Sequence, residues 1–203
     1  MKKLTLSITL LILSALLLTT TSYAWATTLN RGTYNAPRFR AALPEETNYI
    51  YISNDQSTKG AEVYTSQIAQ ASLLPVTTAN CDYFYWENND RLSSTEKERN
   101  VISETVYLTS DAQYTRVQVQ EVNVQGAGLL ADAIRVGIVS NTGDIVIASR
   151  SGSDGFLRII TRNGHVPVTV YVWIEGTDPA CTYEAIASAG NIQVSVTLEG
   201  INA

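Results

Sequence analysis

The sequence predicts an all-β protein: an antiparallel β-sandwich with one or two short helices. Two late segments carry most of that prediction. Val168, Val170, Val172 and Ile174 alternate with Thr169, Tyr171, Trp173 and Glu175. Ile192, Val194, Val196 and Leu198 alternate with Gln193, Ser195, Thr197 and Glu199. A period of two places each set on its own face of a strand, and the β-branched residues suit a pleated surface. The third observation is spacing. Short apolar runs recur between turn residues, which favours an antiparallel sandwich over a parallel sheet.

The elements follow in chain order. Lys2 and Lys3 precede an apolar run from Leu4 to Leu18, with small residues after it. This is the order of a secretory signal peptide, and the run is shorter than the roughly 20 residues a membrane span needs. Ser22 and Ala24 stand at −3 and −1 of a cut before Trp25, while Ala24 and Ala26 would serve a cut two residues later. The expected division is a leader over 1–24, an N-terminal segment over 25–40 and a sandwich over 41–203. Two of the 14 basic residues leave with the leader, so twelve stand against 19 acidic ones, a formal charge of −7. An acidic chain without basic clusters argues against nucleic acid and anionic membrane surfaces as partners. The mature chain is expected to be exported and soluble.

Residues 61–71 (AEVYTSQIAQA) read as a strand, with a helix as the alternative, and 91–100 (RLSSTEKERN) as a charged loop or a solvated helical turn. Strands are expected over 106–110, 114–124, 133–140, 144–149 and 156–162. In 114–124 the valines switch parity between Val119 and Val122, which predicts a bulge near Glu121. Asn141-Thr142-Gly143-Asp144 is a hairpin turn, and Asn163-Gly164 is another. Asp178 followed by Pro179 predicts a helix N-cap and first position, with Gly190 as the stop.

Motifs for chemistry are scarce. His165 is the single histidine and reads as an exposed turn residue. One histidine and two cysteines build no zinc site of usual composition, and GxSxG, HExxH and phosphate-loop patterns are missing from the sequence. The acid pairs Glu45–Glu46, Glu96–Glu98 and Glu175–Asp178 could serve glycoside hydrolysis, but the first two read as loop solvation and Asp178 as a cap. Oxygen-rich stretches at 88–90 and 153–155 match no defined calcium loop. No catalytic residue, cofactor site or metal site is assigned, and the chain is not expected to be an enzyme. Cys81 and Cys181 leave two readings: an intramolecular disulfide in an oxidising compartment, or free or intermolecular thiols. Eleven tyrosines include the cluster Tyr83, Phe84, Tyr85 and Trp86. With Tyr171 and Trp173 these either fill the core and its rim or form a ligand or subunit contact.

Several segments together resemble a known family. The leader ending TSYAWATTLN resembles the signal peptides cut by the dedicated SipW-type peptidase of Gram-positive bacteria, where a small residue precedes an aromatic and a short strand-like run. LLPVTTANCDYFYW (73–86), ADAIRVGIV (131–139) and VYVWIEGTDPACTYEAI (170–186) are similar, in the same order, to segments of secreted relatives of TasA and camelysin. The resemblance touches about half of the mature chain. It implies a jelly-roll-like sandwich, exported to the cell surface or biofilm matrix, that polymerises when the segment freed by signal cleavage inserts as a strand into the next subunit. Carried onto this chain, the donor strand is Trp25, Ala26, Thr27, Thr28, Leu29, Asn30 and Arg31. The expected partners are other copies in a filament, accessory matrix proteins and the processing peptidase. The metalloprotease activity described for camelysin is not carried over, because the zinc motif is missing.

The physics of such an insertion is finely balanced. Burying Trp25 and Leu29 removes about 300 Å² of apolar surface, worth roughly 7 kcal/mol. About five ladder hydrogen bonds add some 3–5 kcal/mol, against an association cost of about 4–15 kcal/mol. Contacts beside the donor strand are therefore needed to complete assembly. The competing expectation is a monomeric surface sandwich that binds a glycan or protein through the aromatic cluster.

Overall fold

Period-two alternation in the sequence becomes two antiparallel sheets. The structure is a computed structural model and describes residues 48–68, 73–158 and 164–202, within the compact unit Glu46–Ala203. The leader, the donor segment Trp25–Arg31 and Glu45–Glu46 lie outside the described residues. The strands are β1 (Tyr51–Ser53), β2 (Val63–Ile68), β3 (Ile102–Thr109), β4 (Arg116–Gln125), β5 (Ile134–Ser140), β6 (Ile145–Ser149), β7 (Gly152–Asp154), β8 (Val166–Ile174) and β9 (Ile192–Ile201). They form a larger sheet in the order β1-β3-β8-β5-β6-β7 and a smaller one in the order β2-β9-β4. The chain crosses between sheets at every step from β1 to β5 and again from β8 to β9, so long-range pairing, not local hairpins, closes the sandwich.

The core lies between the sheets. Val106, Val136 and Val170 from the larger sheet and Tyr64, Val117 and Val194 from the smaller belong to one buried cluster. Every even-numbered residue of β9 from Ile192 to Gly200 is buried, as the alternation requires. Each such Val, Leu or Ile contributes about 1.5–3 kcal/mol relative to exposure. The expected bulge is present as a register shift between Val119 and Glu121 in the β4–β9 ladder. It turns both valine sets inward, Val117 and Val119 before it and Val122 after it.

The helices differ in detail from expectation. Ser94–Asn100 forms helix α1, with Ser93 as N-cap and Glu96 returning the bond in a capping box. Such a box satisfies two end N–H groups at once, so the charged segment is the helical turn and not the loop. Tyr183–Ser188 forms α2, whose N-cap is Thr182. The expected start at Asp178 is thus corrected by four residues. Asp178 instead accepts from Ala180 N at 2.8 Å and from the Arg135 guanidinium. Gly190 follows the C-cap Ala189, as expected. A 3-10 helix, Gly128–Ala133, links β4 to β5. Of the strand expected over 156–162, the described part makes one bridge, Leu157 to Val117.

Candidate functional site

Two features of the larger sheet bear on function: its outer face and its edge at β3. The outer face is covered by the chain itself. Val76 joins the sheet through a parallel bridge to Glu175, and Thr77, Tyr85 and Arg91 bridge one another. This flap, with α1 behind it, lays Val76, Cys81, Phe84, Leu92 and Val101 on Trp173 as a second buried cluster. Phe84 meets Trp173 edge-on at 5.6 Å between centroids and lies 5.9 Å from Tyr171, geometries that aromatic quadrupoles favour. Gly137 makes the fit: a Cβ there would sit 2.4 Å from Cys81 Sγ and 3.1 Å from the Trp173 ring. Lys97 spans the cover, its Nζ 4.9 Å from the Phe84 ring centre and 4.7 Å from that of Tyr171.

The aromatics singled out as interface candidates are therefore divided. Phe84 and Trp173 are interior. Tyr85, Trp86 and Tyr171 are half-buried, and Tyr83 is exposed beneath the Arg91 guanidinium. Trp173 Nε1 donates to Glu175 Oε2 at 3.0 Å, and Thr177 donates its N–H and hydroxyl to the other oxygen. That buried carboxylate is thereby satisfied by neighbours, as burial demands.

Of the two readings of Cys81 and Cys181, the structure carries free thiols. Cys81 is buried in the outer cluster, whereas Cys181 packs against the inner core, so the two sit in different hydrophobic environments. Burial pushes the Cys81 thiol up to about 12, with the Lys97 charge opposing. Burial also raises Cys181, helped by Asp178 and Glu175.

The second feature is the edge. β3 pairs with β8 along Ile102–Leu108, but on its other side β1 reaches only Tyr107–Thr109. Ile102–Val106 therefore has no strand neighbour on that side among the described residues. The facing edge of the smaller sheet is β2, which among the described residues pairs only with β9. The two edges form one flank of the sandwich, tied where the Tyr64 hydroxyl donates to Glu104 Oε2 at 2.7 Å. Burial first, and Glu104 second, raise the Tyr64 phenol well above its ordinary range. Glu104 shares the inward parity of Val106 and Leu108, so a carboxylate stands at the mouth between the sheets. On the opposite flank β4 is closed by the Val117–Leu157 bridge and by Ser153, whose hydroxyl donates to Val119 O.

The chemical candidates do not converge. His165 is half-buried, not exposed, and its buried Nδ1 has no hydrogen-bond partner among the described residues. Glu96 is held by Ser93, which lowers its carboxyl below the usual range. Among the described residues no group of three or more His, Cys, Asp or Glu is placed to hold a metal ion, and no helix is long and apolar enough to cross a membrane. Sequence reasoning missed the cover over Trp173 and the edge of β3 that has no strand neighbour at Ile102–Val106 among the described residues. The apolar residues on the outward parity, Tyr171 and Trp173 in β8 and Val139 in β5, were the available signal for the cover. No protein-family model, curated protein or solved structure matches the chain with significance.

Proposed function

We propose that the protein is an exported structural subunit of an extracellular fibre or biofilm matrix. It polymerises when Trp25–Arg31 of one copy adds as a strand to the next. The observation that supports this is the flank where β2 and Ile102–Val106 of β3 face each other without a strand neighbour among the described residues. An unpaired edge displays a row of N–H and C=O groups that templates another strand, and β-augmentation is the usual way to fill one. Trp25 and Leu29 supply the apolar side chains for such a strand, in a segment that cleavage of the leader exposes. Accessory matrix proteins and the signal peptidase are the further partners, and catalysis has no part in this reading. A monomeric glycan or protein binder is less well supported, because Phe84 and Trp173 of its aromatic surface are spent inside the fold.

Comparing residues 25–203 with residues 32–203 tests the reading by negative-stain electron microscopy. Fibres from the longer chain and none from the shorter are expected. Equal fibres from both, or none from either at any concentration, would remove the donor-strand reading.

A further inference from the structure

The stretch of β3 without a strand neighbour among the described residues, Ile102–Val106, has a symmetric sequence. It reads ISETV: an apolar residue at each end, a hydroxyl residue inside each, and Glu104 at the centre. Glu104 is the one charged residue in β3 or in the facing strand β2. It lies on the inward parity, is exposed, and accepts from the Tyr64 hydroxyl at 2.7 Å. That bond steadies the carboxylate at the mouth between the sheets without neutralising it. None of the ion pairs among the described residues includes Glu104.

An edge of this composition is nearly its own complement. Two copies of it, antiparallel about a two-fold axis, pair all five residues in one register alone, the one centred on Glu104. In that register Ile102 faces Val106 of the other copy and Ser103 faces Thr105, each pair occurring twice. The first pair is apolar and the second can hydrogen-bond, and both favour a ladder. The remaining pair is Glu104 against Glu104. Directly opposite Cβ atoms stand about 4.5–5.5 Å apart, and like charges at that distance oppose pairing. Every position favours a closed dimer except the middle one.

We infer that Glu104 keeps the β3 edge from closing on the same edge of a second copy, and so holds it open for a different strand. An inward-pointing charge is one of the ways in which proteins guard an edge. A symmetric dimer would consume both edges and end growth, because an isologous contact closes on itself. A strand that brings a hydrogen-bond donor or a positive charge opposite Glu104 meets no such repulsion. The inference rests on the open edge that the fibre reading uses, and adds the residue by which that edge selects its occupant.

Charge exchange tests it by sedimentation velocity on dispersed residues 25–203. The native chain and Glu104→Lys should each stay monomeric, whereas an equal mixture of the two should form a heterodimer. Glu104→Gln, which retains an oxygen for the Tyr64 hydroxyl, should dimerise at a concentration about tenfold or more below that of the native chain. Hydrogen exchange should show Ile102–Val106 protected in both dimers. No dimer from either the mixture or Glu104→Gln overturns the inference. So do dimers that leave this stretch exchanging freely, or a native chain that dimerises as readily as Glu104→Gln. Fibres that depend on Trp25–Arg31, beside a Glu104→Gln chain that stays monomeric, would sink this inference alone. Dimers of Glu104→Gln, with native fibres that persist after loss of Trp25–Arg31, would sink the donor-strand reading alone.

Discussion

The larger sheet has two boundaries that the chain treats in opposite ways. Over its outer face the chain lays a flap that buries Phe84 against Trp173 and closes down on Gly137. Along Ile102–Val106 of β3, only a few residues away, it supplies no neighbouring strand among the described residues. The same protein shows elsewhere that an edge can be closed with few contacts, since a bridge from Leu157 and a bond from the Ser153 hydroxyl serve β4 among the described residues. The covered face thus reports on stability, and the open flank reports on what the molecule can still bind.

Substitutions should separate the two. Phe84→Ala is expected to have the largest effect, a loss of about 3–5 kcal/mol in urea unfolding, because the ring is 1% exposed between Trp173 and Tyr171. A loss below about 1 kcal/mol, the size typical of surface changes, would mean the flap is loosely held and the contrast is weak. Gly137→Ala should cost about 1–3 kcal/mol through overpacking, since the new methyl meets Cys81 Sγ and the Trp173 ring with no room to yield.

Alkaline titration sharpens the covered side further. The Cys81 thiol is raised from its ordinary value of 9.0 to about 12 in the folded state. Above pH 9 the unfolded chain ionises first and binds fewer protons, so folding stability falls as pH rises towards 12 and is untouched below pH 9. At pH 10 the Cys81 share of the slope is worth about 1 kcal/mol per pH unit, and Cys81→Ala should remove that share while leaving the part due to the raised Tyr64 phenol. An equally steep decline in that variant would assign the effect to another group.

On the open flank, Tyr64→Phe should cost about 0.5–1 kcal/mol. The hydroxyl loses Glu104, but that carboxylate is exposed and returns to water. A loss as large as that of Phe84→Ala would show the flank to be as tightly built as the covered face.

The strands with strong alternation were legible because each has one face on the core, as β9 shows residue by residue. The bulge was legible because valine changed parity on either side of Glu121. The three-residue strands β1 and β7 were not, since three residues carry no period. The flap was hidden for a different reason. Its sequence has no periodicity of its own, and Tyr171 and Trp173 on the outward parity of β8 fit a covered face and an external contact equally well; a strand covered on both sides carries apolar residues on both parities. The start of α2 was misplaced because Asp178 is engaged by Arg135, a contact no local pattern announces. The edge of β3 at Ile102–Val106, without a strand neighbour on one side among the described residues, was invisible because an edge is defined by what does not pair with it.

Hydrogen exchange at Ile102–Val106 tests the central claim most directly. The amides of this stretch that point away from β8 should exchange rapidly in dispersed residues 25–203. They should become protected in fibres of the same chain and stay unprotected in residues 32–203 at matching concentration. Protection that is already complete in the dispersed protein, or fibres that leave these amides exchanging freely, would contradict the account.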